Sequence, residues 1–267
     1  MVSWLLHILA PALQPVAEYT QRDQPDGVPP LSLTGERTLP DVPEENYWYR
    51  RHLAVYEWIA ERVKGLDVVD MACGEGYGSA VLARRAARVT GVDANPEAYE
   101  HARAKYTRAG LAFERDLVQT WAKPVDAAVF LQTIEHVEDP TAILEHFKSI
   151  LKPGGTAYVT TPNVLTLAGP DREKSDNPWH VKEYRAEEFR ELCARTFERV
   201  DVLGLFHARK LLAHQWAIEN ARWDEVHAKL GFTKPFYDWF VPAISARDFA
   251  LRPAPLDRAL DFLAILR

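Results

Sequence analysis

From Glu45 onward the chain alternates short apolar runs with amphipathic stretches. Tyr49, His52, Leu53, Tyr56, Ile59 and Ala60 recur at helical spacing, which predicts a helix up to Val63 that Gly65 stops. The runs LDVVDMA (66–72), RVTGVD (88–93), LAFERD (111–116), VDAAVFLQ (125–132), GGTAYVTTP (154–162) and RVDVLGLF (199–206) read as strands. Between them, SAVLARRA (79–86), PEAYEHARAKYTRA (96–109), PTAILEHFKSILK (140–152) and AEEFRELCARTF (186–197) read as helices. Strands separated by helices of about ten residues imply a parallel sheet covered on both faces, a doubly wound α/β fold.

The two ends differ from this middle. Residues 1–45 carry prolines at 11, 15, 25, 29, 30, 40 and 43 and little periodicity, so they read as an N-terminal arm. Residues 46–206 form the core, and 207–257, rich in Trp and Phe, read as a helical cap inserted over the substrate side. LDFLAILR (260–267) is a last strand, the segment 258–267 closing the core, although DRALDFLAIL also has helical spacing. An unbroken apolar run is best buried inside a sheet.

Net charge is −6 with no Lys/Arg block, which argues against a nucleic-acid partner. Two cysteines, Cys73 and Cys193, make no disulfide framework and suit a reducing compartment. MVSWLLHILAPAL at the start lacks a positively charged leader and is interrupted by Pro11; no run approaches the roughly 20 apolar residues of a membrane span. The expectation is a cytoplasmic protein, without stable membrane insertion, compatible with a homo-oligomer.

The chemistry concentrates in VVDMACGEGYGS (68–79), where a strand runs through Gly74, Gly76 and Gly78 into a helix. Glycine there permits a tight turn and close approach of a ligand, although a ligand-free turn has the same composition. A nicotinamide G-x-G-x-x-G loop would put glycine at 79, where this chain has Ser79. Asp93 ends the second strand and suits a ribose; Asp116 ends the third and suits an adenine amine. Each acid alone also fits a helix cap or Asx turn.

As a series, VVDMACGEGYGS, GVDANPEAYEHA, LQTIEHVEDP, LKPGGTAYVTTPN and NPWHVKEY resemble the motifs of class I S-adenosylmethionine methyltransferases over about residues 34–206. The resemblance implies a Rossmann-like seven-stranded sheet in the order 3-2-1-4-5-7-6 with the seventh strand antiparallel. It implies that Cys73, Gly74, Glu75, Gly76 and Gly78 line the methionine part of S-adenosyl-L-methionine. Asp93 and Ala94 would then take the ribose, Asp116 and Leu117 the adenine, and Gln132 would face the sulfonium. LTGERTLPDVPEENYWYRRH (33–52) and GLFHARK (204–210) further resemble actinobacterial polysaccharide O-methyltransferases of the methylglucose lipopolysaccharide type, which implies a carbohydrate acceptor.

Removal of an acceptor proton needs a base. His136 in QTIEHVEDP and His180 in NPWH fall at the carboxyl edge of the sheet; His52 and His207 are weaker candidates. Glu135 with His136 resembles the cation site of ubiquinone-type O-methyltransferases. Gln132 stands where that site has a further acid, which disfavours a divalent cation such as Mg²⁺. Glu36 and Arg37 would close the arm over the cofactor, and Tyr47, Trp48, Tyr49, Trp216, Trp223, Phe236, Tyr237, Trp239 and Phe240 suit sugar stacking or core packing. The alternatives are a natural-product or quinone-type O-/N-methyltransferase, a non-catalytic nucleoside-binding module and a NAD-linked oxidoreductase.

Overall fold

The computed structural model describes residues 24–32, 37–169, 171–231 and 233–267. The apolar start (1–13) and Glu36 lie outside them. The sheet is built from β1 (Asp67–Met71), β2 (Arg88–Asp93), β3 (Leu111–Arg115), β4 (Val125–Phe130), β5 (Leu151–Pro162), β6 (Val200–His207), β7 (Phe249–Arg252) and β8 (Asp261–Leu266). The helices are α1 (Asn46–Ala60), α2 (Tyr77–Leu82), α3 (Pro96–Lys105), α4 (Pro140–Ile150), α5 (Val164–Leu167), α6 (Ala186–Ala194), α7 (Arg209–Ala221), α8 (Trp223–Leu230) and α9 (Thr233–Phe240).

The strand order is β3-β2-β1-β4-β5-β8-β6-β7. Seven strands were expected, and the described residues form eight. The additional one, β7, comes from the stretch expected to be a helical cap and pairs antiparallel with β6 at the sheet edge. It escapes sequence reading because four residues with half-buried centres carry too little pattern.

The terminal run is a strand, antiparallel to both β5 and β8's other neighbour β6. Its side chains divide between two cores: Leu263 and Ile265 pack with α1 and α2, whereas Phe262, Ala264 and Leu266 pack with α4 and α6. All six residues of β8 are buried. A surface helix would bury about half of them, and each extra aliphatic or aromatic side chain buried is worth roughly 1.5–3 kcal/mol. Burial therefore decides for the strand. The same alternation places Val68 and Val129 on the α1 side and Val69 and Phe130 on the other.

Helix starts follow local chemistry. Asn95 caps α3 by accepting from Glu97 and Ala98 N–H, and Asp139 caps α4 by accepting from Ala142 N–H; proline follows each cap. α2 begins two residues earlier than its apolar pattern suggested and stops at Leu82.

α1 is locked to the sheet by Arg51, whose Nε donates to Asp261 Oδ2 at 2.6 Å and whose Nη2 donates to Leu260 O at 2.8 Å. Asn46 Nδ2 donates to the carbonyls of Val241 and Ile244, tying α1 to the chain after α9. The arm is held on α3: Lys105 pairs with both Asp41 and Glu75.

Candidate active site

The glycine loop follows β1 at the carboxyl edge of the parallel strands. Gly74 (φ 56°) and Gly76 (φ 96°) adopt left-handed backbone. A side chain at Gly78 is excluded outright, since its Cβ would lie 2.1 Å from the Tyr56 ring. An added Cβ at Gly74 would meet only Arg37 Cβ, at 3.9 Å, so the arm passes over this turn. Cys73 is buried and contributes backbone, its N–H donating to Val92 O.

Asp93 stands at the end of β2 and joins the loop to it: Oδ2 accepts from Gly74 N–H at 2.8 Å and Oδ1 from Asn95 N–H at 2.9 Å. Ala94 beside it is exposed. Asp116, just past β3, is half-buried; its Oδ1 accepts from Thr120 Oγ1 and Leu117 N–H, and those bonds hold its carboxyl below the usual range. Leu117 presents a side chain that is 54% exposed. Gln132 follows β4 with φ 52°, an unusual conformation for a non-glycine residue, and Thr160 steadies it by accepting from both its backbone N–H and its Nε2.

Glu75 departs from expectation. Its carboxylate turns inward and is fully used by Lys105 Nζ (2.7 Å), His101 Nε2 (3.0 Å), Tyr106 OH and Tyr77 N–H. Only its backbone is left to the groove.

On the opposite side of the edge, one ligand atom each from Glu135, His136 and His180 lies within 4.8 Å of the others. The loop bearing His180 is pinned there because Val181 and Lys182 N–H both donate to Glu135 O. The two imidazoles meet edge to face, centroids 4.9 Å apart. His136 Nδ1 lies 3.0 Å from Trp179 O, so that nitrogen carries the proton and Nε2 the lone pair. His180 Nδ1 lies 2.6 Å from Glu183 Oε1, while Asn177 Nδ2 donates to His180 Nε2 at 2.9 Å. Burial alone would raise the Glu183 carboxyl, but hydrogen bonds from His180 and Ser175 outweigh it and hold it low. Glu135 is 1% exposed, its Oε2 has no hydrogen-bond partner among the described residues, and burial pushes its carboxyl up to about 8.

A family profile described as "Methyltransferase domain" matches residues 45–211. A probable S-adenosylmethionine-dependent methyltransferase of Mycolicibacterium smegmatis is 38% identical over 264 residues, covering 90% of this chain and 97% of that one. A probable S-adenosylmethionine-dependent methyltransferase of Mycobacterium tuberculosis is 35% identical over 238 residues, 86% of each chain. The chain belongs to the S-adenosylmethionine-dependent methyltransferases. A ubiquinone biosynthesis O-methyltransferase of Xylella fastidiosa is 38% identical over 120 residues, 42% of this methyltransferase and 48% of that one. Among solved structures, an S-adenosylmethionine-dependent methyltransferase of Thermotoga maritima superimposes with TM-score 0.56 at 18% identity, over 84% of this chain and 94% of that one, which shows the shared fold.

The methyltransferase is an enzyme, and its cofactor is S-adenosylmethionine. The nicotinamide-linked reading falls away, and the structure gives position 79 its own purpose. Ser79 is buried and its Oγ donates to Asp70 Oδ2 at 2.7 Å. Asp70, fully buried under the loop, also accepts from Tyr56 OH, and burial pushes it up to about 7. Sequence reading passed over Asp70, although an acid inside the apolar run VVDMA four residues before Gly74 is a signal in itself.

The weaker histidines lie elsewhere. His207 is buried against Tyr47 OH (2.8 Å) and Gln215, and burial pushes it down to about 4, leaving a neutral hydrogen-bonding group. His52 contacts Thr38 Oγ1. Of the aromatic residues, Tyr47, Tyr237 and Phe240 are core, whereas Trp216 and Trp239 are exposed. No helix among the described residues is long and apolar enough to cross a membrane.

Proposed function

We propose that this methyltransferase methylates a hydroxyl oxygen of a sugar or oligosaccharide. The observation that carries the reading is the Glu135–His136–His180 cluster, in which Trp179 O fixes the proton of His136 on Nδ1 and makes Nε2 its basic nitrogen, while His180 is held between Glu183 and Asn177. Such a group serves an acceptor that must lose a proton, which an alcohol does.

The cofactor residues fit an adenosine-bearing ligand. Asp93, fixed by two backbone N–H groups, keeps lone pairs for the two ribose hydroxyls; Asp116 and Leu117 meet the adenine edge and face. The loop from Cys73 to Gly78 offers backbone to the methionine part, and Gln132 faces the reacting end. Bound S-adenosylmethionine supplies an electrophilic methyl carbon on a positive sulfur. Transfer forms a C–O bond, breaks the S–C bond and releases the hydroxyl proton, which the cluster is placed to take. Holding acceptor and methyl in line accounts for most of the acceleration.

The sugar assignment is supported by the polysaccharide-type resemblance of residues 33–52 and by Trp179, half-exposed beside His136 and suited to a sugar face. Residues 46–206 and 258–267 act as the catalytic core, 1–45 as an arm over the cofactor, and 207–257 as the acceptor cap. Incubation with labelled methyl donor and a panel of glucosides, mannosides, quinols and amines tests this. Label in a glycoside is expected; label only in a quinol or an amine refutes it.

A further inference from the structure

We propose that Asn177 and Glu183 are positioning residues that make His136 the base of this site and hold His180 as its neutral support. The inference rests on the reading of the cluster as the group that takes the acceptor's proton, and it says which ring takes it.

His180 resembles the stronger base, because Glu183 meets its Nδ1 at 2.6 Å, much as a carboxylate orients the histidine of a hydrolase triad. In a triad, however, the far nitrogen faces the reacting group. Here His180 is 6% exposed and its Nε2 faces the Asn177 amide. That amide cannot be reversed. Trp179 N–H donates to its Oδ1 at 3.0 Å, so Nδ2 is the end that meets His180 Nε2 at 2.9 Å. On the other side, Ser175 donates to Glu183 through its N–H at 2.9 Å and through its hydroxyl. With His180 these bonds hold the Glu183 carboxyl low, so it stays an acceptor and the imidazole proton stays on Nδ1. A neutral imidazole has one N–H and one lone pair to offer, and in His180 both are engaged inside the protein. A second proton, on Nε2, would point at an amide N–H and lose the Asn177 bond.

His136 is held differently. It is half-buried, its Nδ1–H donates to Trp179 O, and its ring meets His180 edge to face. Asn177 therefore reaches His136 by two routes. It fixes Trp179, whose carbonyl sets the His136 tautomer, and it fixes the His180 ring on which His136 rests. Beyond His180, Val181 and Lys182 N–H tie the same loop to Glu135 O, in the turn that carries His136. His136 Nε2 takes the hydroxyl proton as the acceptor oxygen bonds to the methyl carbon, and the electrons of the broken S–C bond stay on sulfur. The Nδ1–H bond to Trp179 O persists and steadies the imidazolium that results.

Long-range proton–nitrogen NMR of histidine-labelled, full-length protein with S-adenosylhomocysteine bound reads the tautomers with no acceptor present. Diethyl pyrocarbonate followed by peptide mapping reads which ring has an unprotonated nitrogen open to attack. Both rings are expected to carry their proton on Nδ1, with His136 modified at least about tenfold faster than His180, whose lone pair is occupied. Asn177→Ala should remove most of that protection. Asn177→Asp keeps the acceptor for Trp179 N–H but sets a carboxylate against Nε2, so His180 should then carry protons on both nitrogens. Turnover is followed by labelled methyl on whichever member of the acceptor panel takes it. His136→Ala should lose at least about a hundredfold in kcat. Asn177→Ala should lose roughly tenfold to a hundredfold in kcat, with little change in KM for S-adenosylmethionine, because the base is displaced rather than removed. A proton on His180 Nε2 in the parent, faster modification of His180 than of His136, or parental kcat in Asn177→Ala or His136→Ala would each overturn the proposal. The tautomers do not depend on the acceptor, so the hydroxyl-acceptor reading is judged separately by where the label arrives.

Discussion

Arg51→Met removes the donors that satisfy Asp261, with both side chains 2% exposed or less. Asp261 opens β8, sits between Pro162 of β5 and Leu205 of β6, and is buried. Breaking a buried pair by deleting one partner costs about 3–5 kcal/mol, a large share of a total near 5–15 kcal/mol. For a chain of 267 residues, an unfolding entropy of about 2.1 cal/mol/K per residue turns this into a fall in Tm of roughly 5–9 °C. Urea unfolding followed by tryptophan fluorescence measures the free energy, and calorimetry the Tm. Arg51→Met/Asp261→Val removes the stranded charge as well and should return to within about 2 kcal/mol of the parent, since a paired buried charge is worth little more than apolar packing. If the single variant costs under about 1 kcal/mol, or the double is as unstable as the single, the buried pair does not hold α1 to the sheet.

Three further outcomes follow from the site. Gly78→Ala puts a Cβ 2.1 Å from the Tyr56 ring and should cost at least about 1–3 kcal/mol in urea unfolding, with weaker S-adenosylhomocysteine binding; a change under about 0.5 kcal/mol contradicts the packing. Asp93→Ala should weaken S-adenosylhomocysteine binding more than tenfold, about 1.4 kcal/mol, by calorimetry, and unchanged binding removes the ribose assignment. Asp70 is raised from 3.8 to about 7 in the folded state, so the fold holds more protons than the unfolded chain across that window and stability falls as pH rises from about 4 to 7. Asp70→Asn should therefore gain on the parent as pH rises through this range, and parallel stability profiles would show that Asp70 titrates normally.

Much of this architecture was legible because the parallel strands are buried on both faces and read as unbroken apolar runs. Asn95-Pro96 and Asp139-Pro140 likewise announce α3 and α4. What escaped has physical reasons. β7 is short and has two half-buried residues, so its pairing comes from β6's free edge and hardly from its own residues. Glu75 sits among glycines that point to a ligand, but spacing cannot say which way one side chain turns; His101 and Lys105, a full helix later, draw it inward. Glu183 stands three residues after His180, a spacing visible in the sequence, yet only the folded loop shows the carboxylate meeting Nδ1. The positions of Asp93 and Asp116 were readable because the first ends β2 and the second directly follows β3, and a parallel sheet brings such ends to one edge.

The base of the α7–α9 excursion has a consequence for how such enzymes diversify. His207 and Phe249 are register partners, and Ala208 N–H donates to Asp248 O at 2.7 Å, so the 41 residues between His207 and Phe249 leave and re-enter at adjoining points. A detour closed at its neck can be lengthened, trimmed or exchanged for roughly the small entropic cost of a longer loop, while the strands beneath keep their register. One contiguous stretch of gene can thus be exchanged while the glycine loop and the strand ends bearing Asp93 and Asp116 keep their places.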